Sequence, residues 1–291
     1  MSAAEAIAAS MPELTAWIGR SRTDEEEITL PAVRRIAATF DHDPDQVAPG
    51  DALPPHWFGL FFADIPRQSA IGPDGHARAG EFLPPIPLPR RMGAGRRVRT
   101  PGLLRVGDRA IRRTEVAAIT PKTGRTGEMV LLTMRRTVEA RGEVVAVEEF
   151  DALYREAVRP GSSSATNPPM PALIDAAWAD TVPLDPVQVF RYGAITWNAH
   201  RIHYDADYAR GTEGYSGVVQ NGGLTIHLMV DAALRRAQGP LKGFTARLAR
   251  PMFVGDHMTL RGAGAAEGAM LVWAADKDGY VAAEMTLEFG S

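Results

Sequence analysis

An antiparallel sheet wrapped around a buried helix, an α+β unit given twice in one chain, is the fold the sequence predicts. Three observations carry this expectation. First, Val-Gly-Asp stands at 106–108 and again at 254–256, each time between apolar, extended-looking segments, so that "TPGLLRVGDRAIRR" matches "ARPMFVGDHMTLRG". Second, both copies continue as strand, turn, strand, with Thr-Gly and Arg-Gly turn signals in the first and Asp278-Gly279 in the second, a dipeptide that suits a tight hairpin. Third, one candidate buried helix lies upstream of each Val-Gly-Asp. Together these describe a double hotdog: two antiparallel sheets, each wrapped around a central helix.

The second-half helix is read over Leu224 to Ala237, apolar nearly all round as far as Leu234. Asn221-Gly222 opens it, and Arg235, Arg236 and then Gly239-Pro240 suit its end, where cations meet the negative pole and the chain must turn. Its first-half counterpart is "HWFGLFFAD", 56–64, for which a core strand is the competing reading. "RPGSSSATNPPMPA", 159–172, has the composition of a linker. It divides the chain into a first hotdog over 1–158 and a second over 173–291, both within the usual domain range.

Composition narrows the function. With 45% hydrophobic and 23% charged residues the chain is ordinary for a soluble globular protein. A net charge of −3 gives no general pull toward nucleic acid or anionic membrane. The absence of cysteine excludes disulfides, zinc-thiolate sites and cysteine nucleophiles. No apolar run approaches the ~18 residues of a membrane span, and the N-terminus lacks the basic and apolar regions of a secretory signal. A cytoplasmic protein is the expectation.

Two segments carry the chemistry. "TWNAHRIHYDADY", 196–208, packs Asn198, His200 and His203 into a segment too polar for a core strand. About twenty residues on, "QNGG" precedes the apolar helix. The first N–H groups of a helix lack intrahelical partners and sit at the positive pole of its dipole. Glycine admits a ligand close to that backbone. The Gly222 N–H is therefore a candidate oxyanion donor for a thioester carbonyl. A histidine titrating near neutrality can take a proton from water and return it to carbon, whereas an asparagine holds a water or carbonyl without exchanging protons. A metal site using Asp205 as third ligand is the weaker reading, and a polar turn around one satisfied histidine is the plain one. No serine elbow, dinucleotide loop, calcium loop or phosphate loop has the required spacing; "GAGAAEG", 262–268, reads as a turn. An arginine cluster, including Arg90, Arg91, Arg97 and Arg112, reads first as a solvated strand face and second as a contact for coenzyme A phosphates. Nothing aromatic interleaves with it in the manner of a nucleic-acid surface.

"FRYGAITWNAHRIHYDADYA…EGYSGVVQNGGL" resembles the MaoC-like hydratases and dehydratases, and "HWFGLFFADIPRQSAIGPDGHARAGEFLPPIPLPRRMGAG" resembles the N-terminal dehydratase-like domain of their double-hotdog branch, which includes hydroxyacyl-thioester dehydratases and mesaconyl-C4-CoA hydratases. The resemblance covers nearly the whole chain. The wider family carries Asp-x-Asn-Pro-x-His; by spacing, Asn198 stands at its Asp, His200 at its Asn, Arg201 at its Pro and His203 at its His, while Asn221-Gly222 stands at its His-Gly. The resemblance implies hydration of an enoyl thioester, or the reverse dehydration, with His203, Asn198 and Gly222 at the chemistry and His200, Asn221 and Tyr192 supporting them. It implies a non-catalytic first half, which forms a wall of the acyl tunnel and offers Arg90, Arg91 and Arg97 to the substrate. The partner is an acyl-CoA or acyl-carrier-protein thioester, with no cofactor beyond the coenzyme A of the substrate and no metal, membrane or nucleic acid. Either a monomer of two hotdogs or a homodimer satisfies it. Asn198 and Asn221 depart from the family pattern and motivate an alternative, a non-catalytic acyl-thioester binder; a hotdog thioesterase using Asp231 or Asp205 is a further one.

Overall fold

The two Val-Gly-Asp turns sit at equivalent places in two halves that repeat each other strand for strand. In the computed structural model, which describes residues 2–78, 82–124, 127–158, 168–171, 174–264 and 268–290, the first half supplies β1 (Ser21–Glu27), β2 (Arg90–Arg99), β3 (Arg109–Gly124), β4 (Gly127–Ala140) and β5 (Glu143–Arg155). The second supplies β6 (Trp178–Pro183), β7 (Leu241–Leu248), β8 (His257–Gly264), β9 (Ala269–Ala275) and β10 (Val281–Phe289). The order across the sheet is β1-β3-β4-β5-β2-β7-β10-β9-β8-β6, so one half mirrors the other about the β2–β7 seam. Every pairing is antiparallel. Gly107 and Gly255 both take positive φ, +98° and +95°, in the turn that launches β3 and β8. The double hotdog is the fold, with one refinement: the two sheets join edge to edge into a single ten-stranded sheet.

The halves differ in what the sheet encloses. The second half has its central helix, α5 (Gly222–Leu234); α1 to α4 are Ala3–Thr15, Leu30–Thr39, Pro186–Ile195 and Ala206–Gly211. Leu224, Ile226, Met229, Val230, Ala232 and Ala233 of α5 are buried on all its sides, each larger side chain worth roughly 1.5–3 kcal/mol when removed from water. The first-half candidate is neither an α-helix nor a strand: Trp57–Leu60 forms a single 3-10 turn. Its aromatic side chains are buried, and the turn lies against α5, since a Cβ on Gly59 would stand 3.9 Å from His227. One central helix thus serves the described residues of both halves.

Each half also carries a shorter helix after its first strand, α2 and α3, and these two touch. Capping explains both starts: the Thr29 hydroxyl accepts from the Ala32 N–H, the Asp185 carboxylate from the Val187 N–H, and each helix has a proline in its first turn. α1 packs Ile7 and Leu14 against a separate apolar cluster with Val116, Val130 and Leu132 at the far end of the first half. Residues 159–167 and 172–173 of the expected linker, and 265–267 of the "GAGAAEG" segment, lie outside the described residues. No described helix is long and apolar enough to cross a membrane.

Candidate active site

α3 ends in a left-handed turn that delivers Asn198 to the site. Trp197 takes φ +52°, its N–H donates to the Ala194 carbonyl, and the Asn198 N–H donates to the Gly193 carbonyl at 2.8 Å. This is the Schellman arrangement, with a tryptophan where glycine is usual and the conformational cost that entails. The Asn198 side-chain oxygen then accepts the His200 N–H at 3.0 Å, which leaves its NH2 group for a ligand. Arg201–His203 form a 3-10 turn. The Asp205 carboxylate caps α4 by accepting the Tyr208 N–H at 2.9 Å and pairs with Arg201 at 2.6 Å. It is thereby removed from the metal and thioesterase readings.

His203 is tied to the strand-like segment that leads into α5. Its Nδ1 lies 2.8 Å from the Val219 carbonyl, and the Val219 N–H donates to the Ile202 carbonyl at 2.9 Å. With the proton on Nδ1, Nε2 presents a lone pair. Burial pulls the His203 imidazole down to about 4, against the hydrogen bond to Val219, so the ring is neutral at neutral pH. Three residues after Val219, α5 begins. Asn221 is its cap, accepting the Gly223 N–H at 2.9 Å, and the Gly222 N–H has no intrahelical acceptor by its position. Asn221 therefore has a structural duty of its own. Tyr192 reaches the same turn from α3: a Cβ on Gly223 would stand 2.5 Å from its hydroxyl. Burial raises the tyrosine's pKa far out of the physiological range.

The first half enters the site through residues that the sequence reading passed over. Asp74 and His76, in "GPDGH", form a pair with Oδ2 2.8 Å from Nδ1, and the His76 ring lies 4.1 Å from that of His200, which is 5.4 Å from His203. The turn is clamped onto the second half. The Arg201 N–H donates to the Asp74 carbonyl at 2.9 Å and its guanidinium to the Pro73 carbonyl at 3.1 Å. Gly75 has φ +92°, and a Cβ there would collide with the Ala199 carbonyl, so only glycine permits this approach. Burial alone would raise the Asp74 carboxyl, yet its bonds with His76 hold it down at about 2. Burial lowers His76 in spite of Asp74, and with the neighbouring imidazoles it takes His200 to about 2. The row is therefore three neutral rings ending in a carboxylate. Asp74, His76 and His200 also offer donor atoms within 4.8 Å of one another, a set able to hold a divalent ion in place of the His76 proton.

The three arginines part company. Arg90 is buried against Glu213 at 2.6 Å, and Arg97 engages Asp151 through both terminal nitrogens and Glu149 through Nε. Both are committed to protein carboxylates, so neither is an open phosphate contact. Arg91 is the one whose charge bears on His76 and His200. Asp231, the remaining thioesterase candidate, lies 3.1 Å from His56 in the interior.

The chain is thus a double hotdog with paired histidines ahead of its central helix. The sequence model for hydroxyacyl-thioester dehydratase type 2 matches residues 56–254. A mesaconyl-C(4)-CoA hydratase of Chloroflexus aurantiacus is 38% identical over 246 residues, covering 84% of this chain and 86% of that protein. The chain belongs to the hydroxyacyl-thioester dehydratase type 2 family. Among solved structures, a MaoC-like dehydratase from Phytophthora capsici superposes with a TM-score of 0.69 at 14% identity, over 97% of this chain and 99% of that one. A conserved hypothetical protein from Mycobacterium tuberculosis with a double hotdog fold gives 0.57 at 16%, over 93% and 95%. At these identities the structures speak to the fold alone.

Proposed function

We propose that the chain adds water across the double bond of an α,β-unsaturated acyl-CoA thioester of the mesaconyl type, and in reverse dehydrates the 3-hydroxyacyl thioester. The observation that supports this reading is the tether of His203 to Val219, three residues ahead of Gly222, which links a neutral imidazole to the segment that opens α5. The thioester oxygen accepts the Gly222 N–H, where the dipole of α5 favours the negative charge that develops on enolisation. His203 Nε2 takes a proton from a water held by the Asn198 NH2 group. The resulting hydroxide bonds to Cβ, the π electrons move toward Cα and the thioester oxygen, and the proton passes to Cα. H and OH are thus added, and nothing is oxidised or reduced.

Asp74 supplies the carboxylate that the second half lacks at Asn198. Its charge favours the protonated form of His76 and His200, and on this reading it supports the positive charge that enters the imidazole row between the two proton transfers. On this reading the first half holds a working part of the site, and the only cofactor chemistry is that of the substrate's coenzyme A.

The test is to follow the conjugated enoyl absorbance with crotonyl-CoA and mesaconyl-CoA while measuring thermal stabilisation by coenzyme A. Hydration shows as loss of that absorbance. Stabilisation without turnover across a broad enoyl-CoA panel would replace the enzyme with a binding protein, and release of free coenzyme A thiol would replace it with a thioesterase.

A further inference from the structure

Donor atoms from two distant segments meet at the contact between the halves. Asp74, His76 and His200 each bring one to within 4.8 Å of the others, and the His76 and His200 rings are 4.1 Å apart, tilted by 40°. The set has the chemistry of a metal site, with imidazole nitrogens and a carboxylate oxygen. An ion can reach it from solvent, because the Asp74 and His76 side chains are 26% and 23% exposed. The third member has a donor to offer. His200 is 7% exposed, and no described group hydrogen-bonds its ring. A buried imidazole in that state lacks the partner such groups normally have.

Backbone contacts fix the arrangement. Arg201 holds the Asp74 and Pro73 carbonyls, and Gly75 brings the turn against Ala199 where no Cβ would fit. The His76 Nδ1, 2.8 Å from Asp74, is the atom an ion takes, with the ring's proton kept on Nε2 instead. Arg91 lies near enough for its charge to bear on both rings, which works against binding by charge alone. The nitrogen donors therefore decide the choice, in favour of zinc, copper, nickel or cobalt and against magnesium and calcium.

We propose that Asp74, His76 and His200 form an inhibitory site for one divalent transition-metal ion, zinc above all. The ion puts a positive charge where the free protein has the negative charge of Asp74. The His200 ring is 5.4 Å from that of His203, and a like charge so near opposes the protonation of His203 through which the reaction passes. Because the donors come from both halves, the site exists only while the halves are docked. The inhibition rests on the hydratase reading; the metal site itself does not, and it is testable without turnover.

Calorimetric titration of the chelator-treated full chain with zinc is expected to give one site per chain. Cobalt in its place should add a visible d–d absorption that zinc displaces and that magnesium and calcium do not. His76→Gln and His200→Gln should each weaken zinc binding by at least about tenfold, whereas His257→Gln, at an exposed histidine outside the cluster, should leave it unchanged. No saturable binding, or binding that both cluster substitutions leave intact, overturns the site. Should His200→Gln fail to fold, His76→Gln and Asp74→Asn on the partly exposed turn still decide. Zinc is then expected to lower kcat for crotonyl-CoA hydration by at least about tenfold with KM little changed, and a chelator to restore it. Bound zinc with an unchanged rate overturns the inhibition. A protein that hydrates no enoyl-CoA with or without zinc, yet binds zinc through these residues, loses the hydratase reading and keeps the metal site.

Discussion

The two halves of the chain have the same strand order and the same Val-Gly-Asp turns, yet one encloses a thirteen-residue helix where the other has a single 3-10 turn. The half with the helix holds Asn198, His200, His203 and the Gly222 N–H. The half without it contributes a carboxylate–imidazole pair on an ordered turn that is bolted to the partner segment by Arg201. Duplication releases each copy from having to carry a whole site. The second half has Asn198 where the wider MaoC-like pattern has aspartate, and the first half brings Asp74 and His76 against His200, next to His203.

The sharpest way to break this comparison is to remove the base from the half that owns it. His203→Ala is expected to lower kcat by about a thousandfold, within the range for a positioned general base, with its far-ultraviolet dichroism unchanged. Near-normal rates would show that the proton is taken elsewhere. The same ring sets a pH dependence. Unfolded histidines titrate near 6.5, whereas folded His203 titrates at about 4 and His200 at about 2. Between those values the unfolded chain binds more protons than the folded one, so stability is full above about pH 6.5 and falls as the pH drops through the folded pKa values. Melting temperatures that stay constant from pH 7 to pH 4.5 would contradict the burial of these rings. The acid limb of kcat/KM is likewise expected below about pH 5, not near 6.5.

Removing the first half's contribution is the next test. Asp74→Asn keeps the size of the side chain and takes away its charge, with an expected loss of about a hundredfold in kcat and little change in KM. Asp74→Glu should recover part of that loss, and the acid limb of the rate profile should move in the asparagine variant. A first half that is scaffold alone would show no such pH shift. Chelators should leave the wild-type rate unchanged, and added zinc should inhibit by occupying Asp74, His76 and His200. Loss of activity on chelation would convert this cluster from an electrostatic support into a metal centre.

These experiments follow the line between what local sequence can and cannot carry. Strands, hairpin turns and the apolar α5 were readable because each is specified within a dozen residues: alternation, Asp278-Gly279, an Asn-Gly start and an Arg-Arg-x-x-Gly-Pro finish. Asn198, His200 and His203 were readable by spacing. Asp74 and His76 were in view but carried no signal, because their meaning lies in contact with the distant segment that carries His200 and Arg201. The arginines look alike in sequence; the register that sets Arg97 opposite Glu149, 52 positions on, decides which is occupied. "HWFGLFF" was ambiguous because seven apolar and aromatic residues satisfy any buried conformation, and its packing against α5 selected the 3-10 turn.

Asn221 offers a smaller effect on the same comparison, since at this position the wider family has histidine. If its duty is to cap α5, Asn221→Ala should cost about 1 kcal/mol of stability, a fall of a few degrees in Tm, and Asn221→Ser should restore most of it. Rates at saturating substrate should change far less than in the His203 or Asp74 variants. A collapse of kcat with an unchanged Tm would instead make the Asn221 side chain a participant in the chemistry.

The smallest expected effect is at Asn198, where the wider MaoC-like pattern has aspartate. Asn198→Asp keeps an oxygen to accept the His200 N–H, so the turn that carries His200 and His203 survives. What changes is the other arm, where a donating NH2 group becomes an accepting oxygen. A water can be held either way, since it donates as well as accepts. Activity is therefore expected to stay within a few-fold of the wild type. Combined with Asp74→Asn the substitution should recover activity, because a carboxylate is then restored from the second half. If Asn198→Asp alone abolished turnover with the fold intact, the amide would be donating to the substrate carbonyl. The carboxylate of Asp74 would then be supporting a different proton path from the one drawn through His203.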